Sequence, residues 1–184
     1  METMARTKQI RAEQILDKAY EMVLASGLKS ITARSLAKAL NCSTQPIYLE
    51  FGNMGQLKQA ILEQAKARLV WYVTAEQRTA DALVNLGIGY VRFATIEPEL
   101  YRALFIDNHF GHDEAQLFMT QLVQTRLQSY QPLKNKPEDE QRRIINEAWI
   151  VITGLATLIN AKLVDYQDVE IEALLKRMLK RCFN

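Results

Sequence analysis

At 184 residues the chain can form one large domain or a small module joined to a larger one, and its 48% apolar content is enough for a real core. No run approaches the roughly 20 consecutive apolar residues of a membrane span, and the start METMARTKQIR has no hydrophobic signal core, so no membrane partner is expected. A net charge of +2 does not by itself announce a nucleic-acid partner, but its distribution does: residues 1–60 hold eight Lys/Arg against five Asp/Glu, and residues 61–184 hold fifteen against sixteen.

Arg6, Lys8 and Arg11 lie in a polar segment ahead of the first helix, which either reaches a groove or phosphates or is a plain basic tail. Helical spacing then predicts a helix from about Arg11 to Ala25, with Ile15, Leu16, Ala19, Met22 and Val23 on one face and Ser26-Gly27 as its stop. Thr32 sits where an N-cap belongs, its hydroxyl free to accept from an orphan amide. Leu36, Ala37 and Leu40 recur at helical spacing, with Arg34 and Lys38 on the wet side. Asn41 tolerates the left-handed conformation of a C-cap. Ser43 offers a second N-cap, Pro46 falls in a first turn where a missing N–H does no harm, and Ile47 and Phe51 face inward. Two short helices joined by a tight turn, the second exposing Thr44, Gln45 and Tyr48, make a helix-turn-helix shaped for the DNA major groove.

Asn53 is placed to cap a long helix carrying Leu57, Ile61, Ala65, Leu69 and Tyr72, and a polar patch from Thr74 to Thr79 closes it. A helix follows over Asp81–Ile96, whose Gly87 and Gly89 allow close packing or a local bend. Pro98 opens a short helix, PELYRALF, and Asp107–Gly111 reads as a loop. A helix from Asp113 to Tyr130, a linker over Gln131–Pro137 and two final helices, about Glu138–Leu163 and Asp168–Cys182, complete the chain. The first of these two carries a stripe of Ile145, Trp149, Ile152, Ala156 and Ile159, and another of Ile144, Ala148, Val151, Leu155 and Leu158. A helix apolar on two faces must be covered from two sides, by its own core and by a second subunit. The last helix adds Ile171, Leu174, Leu175, Met178, Leu179 and Cys182, so a homodimer through these two helices is expected, with an isologous interface as the default. The fold class is all-α: a three-helix helix-turn-helix module over residues 1–54 and a helical domain over residues 55–184 that carries the dimerisation helices and, as the family resemblance given below implies, binds a ligand. Cys42 and Cys182 fall in different modules and make no disulfide framework, which points to a cytoplasmic address.

The N-terminal residues resemble those of TetR-type transcriptional regulators, from about Ile15 to Ile61. The shared pattern is Thr32 opening the second helix, Leu36-Ala37, the turn Asn41-Cys42-Ser43, then Ile47-Tyr48-Leu49-Glu50-Phe51, Gly52-Asn53 and Leu57. Asn41 replaces the usual turn glycine, and Met54 stands where the family typically has a lysine that touches phosphate. A shorter stretch, Phe93-Ala94, Glu97-Pro98-Glu99-Leu100-Tyr101-Arg102 and Phe105, is similar to the WHG-type C-terminal domain of some TetR relatives. Trp149, Thr153 and Gly154 occupy the places of its Trp, His and Gly. The resemblance implies a DNA-binding regulator, a repressor relieved by a small ligand. In such proteins a ligand inside the C-terminal domain moves the helix leading from the DNA module. Here that helix begins at Asn53, and the pocket would lie between it, Asp81–Ile96 and the Trp149 helix. Tyr90, Phe93, Phe105 and Trp149 would line it with Thr153 nearby, favouring a hydrophobic or amphipathic effector.

Base readout falls to Gln45, whose amide can pair with adenine N6 and N7, and to Thr44 and Pro46, which can touch a thymine methyl. Tyr48, Thr32 and Ser43 are candidate phosphate ligands, and Glu50 is the awkward residue, repelled by phosphate unless it meets cytosine or points away. The run Asp107-Asn108-His109-Phe110-Gly111-His112-Asp113 lacks a pattern that fixes metal coordination, so no metal is expected. Gly87-x-Gly89 and Gly52–Gly55 lack the strand context and GK[ST] ending of phosphate loops. Neither histidine sits in a nucleophile–base motif, so no enzyme activity and no cofactor are expected. The rival reading is a helical ligand-binding or scaffold protein whose helix-turn-helix is only structural; Met54, Glu50 and the modest net charge favour it, and exposed Thr44, Gln45 and Tyr48 count against it.

Overall fold

The computed structural model describes residues 10–107, 109 and 112–183, and every regular element in them is helical, as the sequence predicts. The helices are α1 Ala12–Ser26, α2 Ala33–Ala39, α3 Gln45–Phe51, α4 Met54–Ala75, α5 Ala82–Ile96, α6 Pro98–Tyr101, α7 His112–Leu127, α8 Gln131–Lys134, α9 Glu138–Asn160 and α10 Asp168–Arg181. Two compact units divide the chain, one ending at Gln64 and one beginning at Ala65, so that α4 contributes residues to both. Arg6 and Lys8 lie outside the described residues. Among the described residues, no helix is long and apolar enough to cross a membrane.

In the first unit, α1 packs on α2 and α3. Its inward residues Ile15, Ala19 and Val23 are fully buried, and each such aliphatic side chain larger than alanine contributes about 1.5–3 kcal/mol. Gly27 ends α1 at φ +74°, where a Cβ would be strained, with its N–H donating to Val23 O at 2.8 Å. Thr32 caps α2 as expected: its Oγ1 accepts from Ser35 N at 3.0 Å, and Ser35 Oγ accepts from Thr32 N at 3.0 Å. The far end of α2 closes on Asn41 at φ +52°, with Cys42 N donating to Ala37 O at 3.0 Å and Asn41 N to Lys38 O at 3.2 Å. These two bonds are the Schellman pattern, which satisfies carbonyls the helix would otherwise leave open. The expected Ser43 cap does not form, and Ser43 makes no side-chain hydrogen bond among the described residues. Helix α3 begins one residue later than a Ser43 cap requires, with Thr44 at the N-cap position, and Pro46 withholds the amide three residues past Ser43. Ile47, completely buried, is the anchor of α3, and Asn53 Oδ1 caps α4 by accepting from Gln56 N at 3.0 Å.

In the second unit α5 is the central helix, with every residue from Leu83 to Val91 buried, and it packs against α9, α10, α6 and α7. Asp81 Oδ1 caps it, accepting from Leu83 N at 2.9 Å and Val84 N at 3.1 Å, and also from the Tyr130 hydroxyl at 2.9 Å. Gly89 brings α5 against the backbone of α4 at Tyr72 and Val73, while Gly87 meets the side-chain ends of Ile152 and Leu175. The buried carboxylate of Glu76 is flanked by Arg92 at 3.1 Å and Arg78 at 3.2 Å, the pairing that a buried charge needs.

Four local expectations are corrected. PELYRALF is not one helix: α6 gives way to a π-helical turn over Arg102–Ile106, closed by Asp107 N donating to Arg102 O at 2.8 Å. The Gln131–Pro137 linker contains the single turn α8, because Pro132 falls in its first turn, where proline is tolerated. Helix α7 ends at Leu127 rather than Tyr130, whose side chain turns to Asp81, and α9 stops at Asn160, where Lys162 takes φ +56° in another Schellman closure.

The two apolar stripes of α9 also resolve differently. Ile144, Ala148, Ile152, Leu155 and Ala156, drawn from both stripes, are buried in the unit's own core. The apolar line left uncovered runs through Ile150, 70% exposed, Gly154 and Leu158, 42% exposed. A Cβ on Gly154 would meet nothing within 4 Å.

Candidate nucleic-acid interface and effector site

Within the first unit, α3 holds Ile47 in the core and turns its opposite side to solvent. Gln45 is exposed, Tyr48 is 46% exposed and Leu49 is 75% exposed; positions i, i+3 and i+4 share one face, so these three form a continuous outward surface. Thr44 and Pro46 are half-buried beside it, and Thr32 and Ser43 are exposed at the ends of the neighbouring segments. Thr32 spends its hydroxyl on the α2 cap, whereas that of Ser43 is free among the described residues. Arg34 and Lys38 stand exposed on α2 and make no ion pair among the described residues. Leu49 is the residue that sequence reading passed over; its signal was its spacing of four from Gln45. An exposed leucine on that face can touch a thymine methyl. Glu50 is exposed as well.

Within the second unit, four of the five expected pocket residues converge. Tyr90, fully buried, has its ring 5.0 Å from Trp149, 5.5 Å from Phe105 and 5.8 Å from Tyr101, mostly edge to face, an arrangement that suits ring quadrupoles. Thr153 completes the group from α9, one turn after Trp149. The hydroxyl of Tyr101 pairs with Thr157 Oγ1 at 2.9 Å. Those of Tyr90 and Thr153 are buried and make no hydrogen bond of good geometry, although Tyr90 lies within hydrogen-bonding reach of both Tyr101 and Thr153. Burial raises the Tyr90 hydroxyl well above its usual pKa, and it raises Tyr101 too.

Phe93 is not part of this cluster. It turns to α4 and packs on Tyr72 at 5.8 Å, where Arg68 lies over the Trp71 and Tyr72 rings and donates to Glu97 at 2.9 Å. Two adjoining grooves of about 470 and 620 Å³ open at the N-terminal end of α5, around Asp81, Tyr130 and Pro132, with Lys176, Lys180 and Phe183 on the second. Among the described residues no three His, Cys, Asp or Glu side chains gather as metal ligands.

The family model of the tetracyclin repressor-like C-terminal domain matches residues 83–182, more than half of the chain. A solved structure from Rhodococcus sp., assigned to the TetR family of transcriptional regulators, superposes with a TM-score of 0.64 at 12% sequence identity. The match covers 92% of this chain and 97% of that one, and at such identity it speaks for the fold alone. No curated protein sequence matches the chain. The all-α fold thus agrees with the solved structure, the matched domain spans the whole Tyr90 cluster, and the chain belongs to the TetR family of transcriptional regulators.

Proposed function

We propose that the chain is a sequence-specific DNA-binding repressor, released by a small hydrophobic or amphipathic effector and acting as a cytoplasmic homodimer. Family membership implies DNA-binding transcription regulation. The finer reading rests chiefly on α3, which is anchored by fully buried Ile47 and presents Gln45, Tyr48 and Leu49 to solvent. Gln45 reads adenine through its bidentate amide, Thr44, Pro46 and Leu49 contact thymine methyls, and Tyr48, Thr32 and Ser43 hold phosphates. Exposed Arg34 and Lys38 add sequence-independent attraction.

The dimer is supported by the uncovered line Ile150–Gly154–Leu158 on α9, with exposed Val169 and Ala173 on α10. Two-fold symmetry would set the half-sites about 34–36 Å apart, or at a multiple of that spacing. The effector site is the Tyr90, Phe105, Trp149 and Thr153 cluster, and Phe93 would act indirectly through α4. The test is to select bound fragments from the source genome, then titrate one against rising salt. A palindromic site whose affinity falls steeply with salt is expected; retention that ignores both sequence and salt would return the helix-turn-helix to a purely structural role.

A further inference from the structure

Trp149, Thr153 and Thr157 follow one another at four-residue spacing on α9 and therefore share a face. Two tyrosines from other helices meet this line. Tyr101 of α6 closes on Thr157 at 2.9 Å. Tyr90 of α5 lies by Thr153, one turn earlier, close enough for the two hydroxyls to interact, yet both oxygens are buried and neither makes a hydrogen bond of good geometry. A buried hydroxyl that is left unmet bears its full desolvation cost, so native cores rarely keep one, let alone two together. The rings of Trp149, Phe105 and Tyr101 pack around the Tyr90 ring, and Phe105 is carried there by the π-helical turn, a feature frequent at functional sites. Phe105, Trp149 and Thr153 are only half-buried, so the cluster reaches the surface on their side.

We propose that this cluster takes an uncharged, flat molecule whose single acceptor oxygen, a carbonyl, receives the hydrogen bonds of Tyr90 and Thr153 together. The proposal rests on the reading of the cluster as the effector site. Neither hydroxyl makes a well-formed hydrogen bond within the protein, each has a proton to donate, and a carbonyl oxygen has two lone pairs to meet both. The side chains that act on the buried Tyr90 hydroxyl are Tyr101 and Thr153, neither of them charged, so a charged ligand group placed against it would lose hydration without a counter-charge. The aromatic surround favours a planar ring system over a sugar.

Three probes with one ring system separate the possibilities: 2-acetylnaphthalene, which carries the carbonyl, 2-ethylnaphthalene, which lacks an acceptor, and 2-naphthoate, which is charged. Binding to the full chain is measured by equilibrium dialysis for the wild type, Tyr90→Phe, Thr153→Val and the double variant. The ketone should bind at least about tenfold tighter than either analogue, and each single variant should weaken the ketone about three- to tenfold while leaving the hydrocarbon unchanged. The ligand-free double variant should melt at or above the wild type, because two unmet hydroxyls have been removed together. Failure of the ketone to bind at millimolar concentration, a preference for the hydrocarbon or the carboxylate, or a double variant that melts well below the wild type would each overturn the proposal. Operator affinity is measured in parallel. Ketone binding with the expected variant pattern but unchanged operator affinity supports the subsite and removes its coupling to DNA.

Discussion

A β-carbon on Gly89 would stand 2.6 Å from the Tyr72 carbonyl oxygen and 2.7 Å from Val73 Cα. Both are backbone atoms of α4 and neither can swing aside. Restoring an ordinary contact of about 3.5 Å requires the two helices to part by about 1 Å. Overpacking of this kind costs about 1–3 kcal/mol, and alanine's better helix propensity returns no more than about 1 kcal/mol. Because α5 is buried on every side, the strain cannot relax into solvent. Gly89→Ala should therefore lose about 1–2 kcal/mol, a fall of roughly 2–8 °C in melting temperature. Gly87→Ala is the matched reference, since its Cβ would meet only the side-chain ends of Ile152 and Leu175, at 3.2 Å, and the change should stay within about 1 kcal/mol. Both tryptophans, Trp71 and Trp149, belong to the second unit, so their fluorescence in a thermal or urea transition reports this unit without the first. Gly89→Ala melting with the wild type, or Gly87→Ala losing more than Gly89→Ala, would refute the close approach of α5 to α4.

Gln45→Ala should lower specific affinity by about 1–3 kcal/mol with nonspecific binding nearly intact, measured on operator and on scrambled duplex; equal loss on both would make Gln45 a positioning residue. Tyr48→Phe should weaken both kinds of DNA alike, and retained affinity on both would remove Tyr48 from the contact set. Ile150→Lys should give a folded monomer in sedimentation at micromolar concentration, whereas an unchanged dimer would place the interface elsewhere. Burial raises the Tyr90, Tyr101 and Tyr130 hydroxyls above their ordinary value of 10.0, so the folded state favours their neutral forms. Their contribution to stability is whole below pH 10 and is lost as pH rises above it; phenolate absorbance from these three should appear only with unfolding, and full ionisation of the folded chain near pH 10 would contradict that.

The features legible in the sequence were those decided within a few residues. Thr32 and Asn53 cap the helices they precede and Asn41 takes the left-handed turn, each because its partner is an amide or carbonyl close along the chain, and Pro46 sits in a first turn that needs no N–H from it. Ser43 failed as a cap because α3 starts one residue later, at Gln45 after Thr44. The features that escaped depend on distant helices. Tyr90 and Phe93 are three residues apart on α5, yet one meets α9 and the other meets α4, and no periodicity in α5 separates those destinations. The same holds for α9, where two plausible stripes merged into one buried face and left Ile150 and Leu158 outside. The π-helical turn escaped because adding one residue to a helical turn leaves no mark in the pattern of Arg102–Ile106.

Adjacent residues of a helix are about 100° apart, so the line Trp149–Thr153–Thr157 runs beside the line Ile150–Gly154–Leu158 on α9. One line meets Tyr90 and Tyr101, and the other is uncovered. An effector that inserts at the first line acts on the very helix that would hold a partner subunit, provided that it binds one arrangement of α9 more tightly than the other. A switch from 1:99 to 99:1 needs about 5.5 kcal/mol of such preference. Satisfying two hydroxyls contributes about 0.5–1.5 kcal/mol each, or about 1–3 kcal/mol together. The remaining 2.5 kcal/mol or more, by the same estimate, corresponds to about 100 Å² of apolar surface buried in one arrangement and not in the other. That is a large part of one face of a two-ring aromatic molecule. A small polar compound that matched the hydroxyls alone would therefore fall short of a full switch, and the rings of Trp149 and Phe105 must carry about half of the work or more.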